Sequence, residues 1–249
     1  MVAVTTGAER RRAGAHRFYV GMAALFVLIA FGGFVPTYWA RLVAGDFHAP
    51  PIVHLHGALF FAWTIFYFAQ TWMVYAGRTP NHRMWGMAGI SLATFMAITV
   101  ILASVATIRF VPPAAADGVR QFTVVPITAL VVFIVVFAMA IANVKKPEVH
   151  KRLMLVAMVP LMHAAIFRVW KTTMFPDGPP SAAMAGIPGL MADLIIVAAM
   201  VYDWRTRGKI HSVYLIWLSI VVVQEFANAP LATSAAWMTT WRWIETLFG

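Results

Sequence analysis

Seven apolar runs, each long enough to cross a bilayer and nearly free of charge, constrain this chain more than any other feature. A helix rises about 1.5 Å per residue, so a hydrocarbon core of about 30 Å takes about 20 residues. The runs are Phe18–Trp39, Ile52–Tyr75, Met84–Ile108, Phe122–Val144, Leu153–Trp170 and Ile187–Tyr202, then one from Ser212 to Asn228 or beyond, with Pro230 a kink or stop. Only 11% of the residues are charged, against roughly 25% in an average soluble domain. Alternating strands of barrel length are absent. The expected fold class is all-α: a polytopic membrane protein, a seven-transmembrane-helix bundle whose main partner is the lipid bilayer.

A net charge of +10 would suggest nucleic acid in a soluble protein. Here the basic residues sit between spans, so no nucleic-acid partner is expected. If odd spans start inside, thirteen of the nineteen Lys and Arg fall on one side, Arg10, Arg83, Lys146, Lys151 and Arg205 among them. The positive-inside rule then places the N-terminus in the cytoplasm and the C-terminus outside. Residues 1–17 read as a basic cytoplasmic tail, 18–230 as the membrane domain and 231–249 as an amphipathic interfacial segment. In that last segment Trp237, Trp241, Ile244 and Phe248 recur at helical spacing. The outer segments Arg109–Gln121 and Lys171–Gly186, rich in Pro, Gly and Ala, read as loops. Gly89, Ala93 and Ala97 form a stripe of small residues that lets another helix approach closely. The lack of Cys excludes disulfides, thiolate metal ligands and cysteine nucleophiles.

Function must lie with the few polar groups inside the runs, because isolated charges at that depth cost several kcal/mol. His56, Trp63 and Gln70 share one face of the second run at seven-residue spacing. His163 falls roughly 15 Å from the inner face, and Gln224 and Glu225 roughly 19 Å from it. Asp193 lies roughly 9 Å below the outer face and His56 roughly 6 Å, with Arg168 close to that face. A purely structural network would pair Arg168 with Asp193 or Glu225. Two neutral histidines from different helices could instead hold a haem b, with His56 and His163 as the intramembrane pair. His150, thirteen residues before His163, would then ligate a second haem with His82, as in two-haem di-histidine cytochrome b proteins, which the arrangement resembles. Position 70, where a matching inner histidine would sit, is Gln.

A non-haem metal on the same histidines is a second expectation, with Gln70, Trp63, Arg168 and Gln224 lining the cofactor. His48, His54 and His56 would make an outward metal patch only if His54 lay in an unwound turn, since i,i+2 positions diverge on a helix. Asp193 and Glu225 are the candidate catalytic or proton-carrying acids. Redox work by a haem or metal is the leading reading. A non-catalytic accessory or assembly subunit of a larger complex, with other membrane or respiratory subunits as partners, and a proton-coupled transporter are the others.

The stretches H-L-H-G, N-H-R-M-W-G-M-A-G and V-H-K-R-L-M-L-V-A resemble uncharacterised multi-pass bacterial membrane proteins whose spans begin H-R-x-x-G or H-K-R-L-M. The resemblance covers the second to fifth runs and singles out His56, Gln70, His82, Arg83, His150 and Arg152. It implies a location in the bacterial inner membrane and no reaction.

Overall fold

The structure, a computed structural model, describes the backbone of residues 7–248 and the side chains of residue 14 and residues 16–248. Every regular element among these residues is helical. α1 (Gly7–Gly33) runs into a π-helical turn (Val35–Trp39) and α2 (Ala40–Ala44). α3 (Pro51–Tyr75), α4 (Thr79–Phe110), α5 (Pro113–Phe122) and α6 (Val124–Ala142) follow. α7 (Pro147–Met174), α8 (Ala182–Arg207), α9 (Ser212–Ala232) and α10 (Ala235–Leu247) complete the chain. Seven helical segments are long and apolar enough to cross a membrane.

Three local outcomes differ from the reading of the runs. α1 starts at Gly7, so the segment expected as a tail is helical from there, while residues 1–6 fall outside the described residues. The expected outer loop before the fourth span is mostly α5. Pro113 occupies its first position, where a fixed φ and a missing N–H cost nothing. α9 continues through Pro230 to Ala232, with the proline giving up the backbone bond its nitrogen would make to the Phe226 carbonyl. The segment expected to lie in the interface is helical as α10, with its Trp241 buried. Arg120 of α5 clamps it by donating from Nε and Nη2 to the two carboxylate oxygens of Glu245, at 2.6 and 2.9 Å.

α7 is the central helix, packed against α1, α6, α8 and α9. Its middle, Leu155 to Val159, is buried throughout. α3 lies between α1 and α4. Large apolar side chains such as Leu28, Phe95, Leu194 and Phe226 remain exposed on the outside, as a lipid-facing belt requires. Two close approaches fix the packing. A Cβ added at Gly33 would lie 2.6 Å from both the Cβ and the carbonyl oxygen of Ala165 on α7. One added at Gly89 would meet only the Phe66 ring of α3, at 2.8 Å.

These two glycines should therefore respond differently to one methyl group. Gly33→Ala meets backbone that cannot move aside and should lower stability in detergent by about 1–3 kcal/mol. Gly89→Ala displaces a side chain and gains about 1 kcal/mol of helix propensity, so it should be near neutral. Melting temperatures of the two variants check this ordering.

Candidate functional site

Two groups of buried polar side chains lie at different levels of the bundle, and they differ in how well they are satisfied. The first is at the end carrying Arg83, Lys151 and Arg205. Arg152 on α7 has no exposed surface and donates to both Asp203 oxygens on α8, Nε to Oδ2 at 2.8 Å and Nη2 to Oδ1 at 2.6 Å. Its Nη1 donates to the Glu148 carboxylate at 2.8 Å and to the Glu148 carbonyl at 2.6 Å. Glu148 also takes Lys151 and Arg207. Tyr214 on α9 lies under the guanidinium, and its hydroxyl meets that of Tyr19 on α1 at 3.0 Å. Every donor of Arg152 that points inward has a carboxylate or carbonyl, so this group reads as a structural clamp.

The second group lies between α7, α8 and α9. His163, Asp193, Glu225 and Asn228 are all buried. His163 Nε2 is 2.8 Å from the Ala185 carbonyl, which can only accept, so Nε2 carries a hydrogen. Nδ1 then faces Glu225 Oε1 at 3.4 Å, within ion-pair reach but without the alignment of a hydrogen bond. Gly189 lies against Glu225: any Cβ there would overlap the carboxylate. Asp193 lies within electrostatic range of both Glu225 and His163. Alongside, Gln224 donates to Thr128 Oγ1 at 3.1 Å, and Thr128 donates to Asn228 Oδ1 at 2.9 Å. Four buried atoms of the group have no partner among the described residues: His163 Nδ1, Asp193 Oδ2, Glu225 Oε2 and Asn228 Nδ2.

The remaining histidines and candidate ligands are distributed elsewhere. His56 Nδ1 sits 3.4 Å from Thr99 Oγ1 on α4 and stacks near Phe60, so its contacts are separate from those of His163. α3 is regular from Pro51, which turns His54 away toward the Tyr38 hydroxyl at 3.1 Å, and His48 meets the Asp46 carbonyl. Arg168 makes no ion pair with Asp193 or Glu225. It lies 4.2 Å from the Phe34 ring and donates to the Ala164 carbonyl at 3.0 Å. Trp63 donates to Met158 Sδ at 3.2 Å, and buried Gln70 leaves both amide atoms unpartnered. His82 and His150 are neighbours, with ring centroids 6.3 Å apart. No group of three or more His, Cys, Asp or Glu among the described residues is arranged to hold a metal ion.

Asp203, Asn228, Thr128 and the Ala185 carbonyl were missed by sequence reasoning. Asp203 had a signal, an acid in the last turn of an otherwise apolar run facing a run that opens with Lys151 and Arg152. A backbone carbonyl gives none. Comparison of the chain with protein-family models, with curated proteins and with solved structures finds no match. The fold and site together define a multi-pass helical membrane protein with an unsatisfied acid–histidine group in its interior.

Breaking the clamp should cost more than replacing it. Arg152→Ala leaves Asp203 buried and unpaired and should lower stability by about 3–5 kcal/mol, whereas Arg152→Met with Asp203→Leu should recover most of that. Denaturation in detergent of the single and double variants measures the difference.

His211 gives a pH test just outside the α9 span. Its Nδ1 accepts the Val213 N–H and caps α9. Burial, and then the nearby Arg152 charge, hold it below its ordinary range. The folded protein therefore binds fewer protons here than the unfolded chain, so the cap's contribution is complete above about pH 6.5 and is lost as pH falls below it. Asn caps without titrating, so His211→Asn should flatten the melting temperature between about pH 5 and 7.

Proposed function

We propose that this protein takes up and releases a proton at the His163–Glu225–Asp193 group and couples that exchange to movement of a solute across the membrane. One observation carries the reading. With Nε2–H committed to the Ala185 carbonyl, a neutral His163 would aim a lone pair at an ionised carboxylate 3.4 Å away, and two acceptors repel. A proton on Nδ1 or on Glu225 turns that contact into an attraction. A second acid, Asp193, within electrostatic range gives the proton somewhere to go.

The helices around the group support the reading. Pro160 precedes His163 by one turn, Pro188 adjoins Gly189, and Pro230 follows Glu225, so each helix carrying the site contains a proline. Proline frees backbone groups and gives a helix a place to bend, as interrupted helices at transporter midplanes do. Under the positive-inside orientation, in a bacterial inner membrane, the site would sit nearer the outer face. Redox work through a haem b or a non-haem metal on His56 and His163 needs a free lone pair from His163. The proton reading uses that nitrogen where it already points.

Infrared difference spectra between high and low pH should contain the carbonyl stretch of a protonated carboxylic acid that Glu225→Gln or Asp193→Asn removes. In proteoliposomes, Glu225→Gln should cut potential-driven proton flux by at least about tenfold. Wild-type protein without a titrating carboxyl band, or with flux unchanged in Glu225→Gln, would overturn the proposal.

A further inference from the structure

At the basic end, away from the proton site, two histidines from different helices lie with their ring centroids 6.3 Å apart. His150, in the first turn of α7, places Nδ1 2.8 Å from the Ala140 carbonyl of α6. That carbonyl can only accept, so Nδ1 carries the hydrogen and Nε2 is bare. His82, in the first turn of α4, lies near the Gln70 backbone of α3. Its buried Nδ1 has no partner among the described residues. The His150 ring thus has one nitrogen fixed on a backbone carbonyl, the usual support for a metal-bound histidine, which orients the ring and keeps the other nitrogen deprotonated. Gln70 adds an independent sign. Its side chain is 7% exposed, yet both amide atoms are unpartnered. It shares a helix face with Trp63, which packs on Phe133 and Phe137 of α6 and Met158 of α7.

We propose that His82 and His150 bind a single Cu(I) ion. The spacing selects the metal. A metal–nitrogen bond of about 2.0 Å, plus about 1.1 Å from nitrogen to ring centre, puts centroids about 6 Å apart for a linear bridge and about 5 Å apart for a tetrahedral one. The observed separation is 6.3 Å, with the ring planes 73° apart. Linear two-nitrogen binding suits Cu(I), whereas Zn(II) needs four ligands and no third His or acid joins the pair. A single positive charge is also the smaller burden at a site with no carboxylate. The pair is fenced by α3 and α6 through the Gln70 and Ala140 contacts, which suits a bare ion better than a porphyrin.

The test uses the full chain, purified in detergent, stripped of metal and titrated anaerobically with Cu(I) against a chromophoric Cu(I) chelator. One Cu(I) per chain is expected, with affinity falling by at least about 100-fold in His82→Ala and in His150→Ala, and unchanged in His54→Ala. X-ray absorption of the wild-type complex should give two nitrogen neighbours in linear geometry, a readout that does not depend on the variants folding. No uptake, uptake that survives both substitutions, or a four-coordinate spectrum would overturn the assignment. So would stoichiometric Zn(II) binding lost with the same histidines, or a Soret band that marks the ligand as haem. None of these results bears on the proton site, whose variants are read by infrared bands and flux.

Discussion

A guanidinium with no contact to solvent sets the register of this bundle. Arg152 can be buried only because Asp203 and Glu148 surround it, and in a low-dielectric interior that requirement is strict. Meeting it locks α7 to α8 at one end and draws in Tyr214 of α9 and Tyr19 of α1. Register at that end then fixes depth elsewhere. His163 is eleven residues beyond Arg152, Asp193 ten before Asp203, and Glu225 eleven beyond Tyr214. At about 1.5 Å per residue, each lies about 15–17 Å from the clamp. Antiparallel neighbours pinned at one level therefore bring these three side chains together at another.

The two levels contrast in how their polar atoms are satisfied. At the clamp, donors and acceptors match, which rigidifies the packing. At the acid–histidine group they do not: two acids, an imidazole and an amide leave four buried atoms without hydrogen-bond partners. A buried mismatch of that kind is costly, and it persists only where the surroundings over-determine it. Gly33 against Ala165 and Gly189 against Glu225 supply that surrounding rigidity, since neither contact leaves room for a side chain.

Much of the architecture was legible because its causes are local. Apolar length gave the spans, the small residues at Gly89 and Ala93 marked a close helix approach without naming its partner, which is Phe66 of α3 at Gly89, and the aromatic spacing after Pro230 gave α10. α5 was not legible: its composition is that of a loop, and it is held by Arg120 reaching Glu245, a partner 125 residues away. Depth arithmetic placed His163, Asp193 and Glu225 near one another, although it set Arg168 as their counter-charge. Helix rotation decides such pairings, and it turned Arg168 onto Phe34 instead.

By itself the sequence determined that this chain is a multi-helix membrane protein, and how far along each apolar segment its ionisable groups fall, because hydropathy and helical rise are properties of each segment alone. Only the tertiary structure decided which groups meet. It set the tautomer of His163 through a carbonyl on another helix and closed Arg152 on Asp203. Each of those outcomes depends on the relative rotation of two helices, and lipid-facing and protein-facing apolar residues are too alike for a single chain to reveal it.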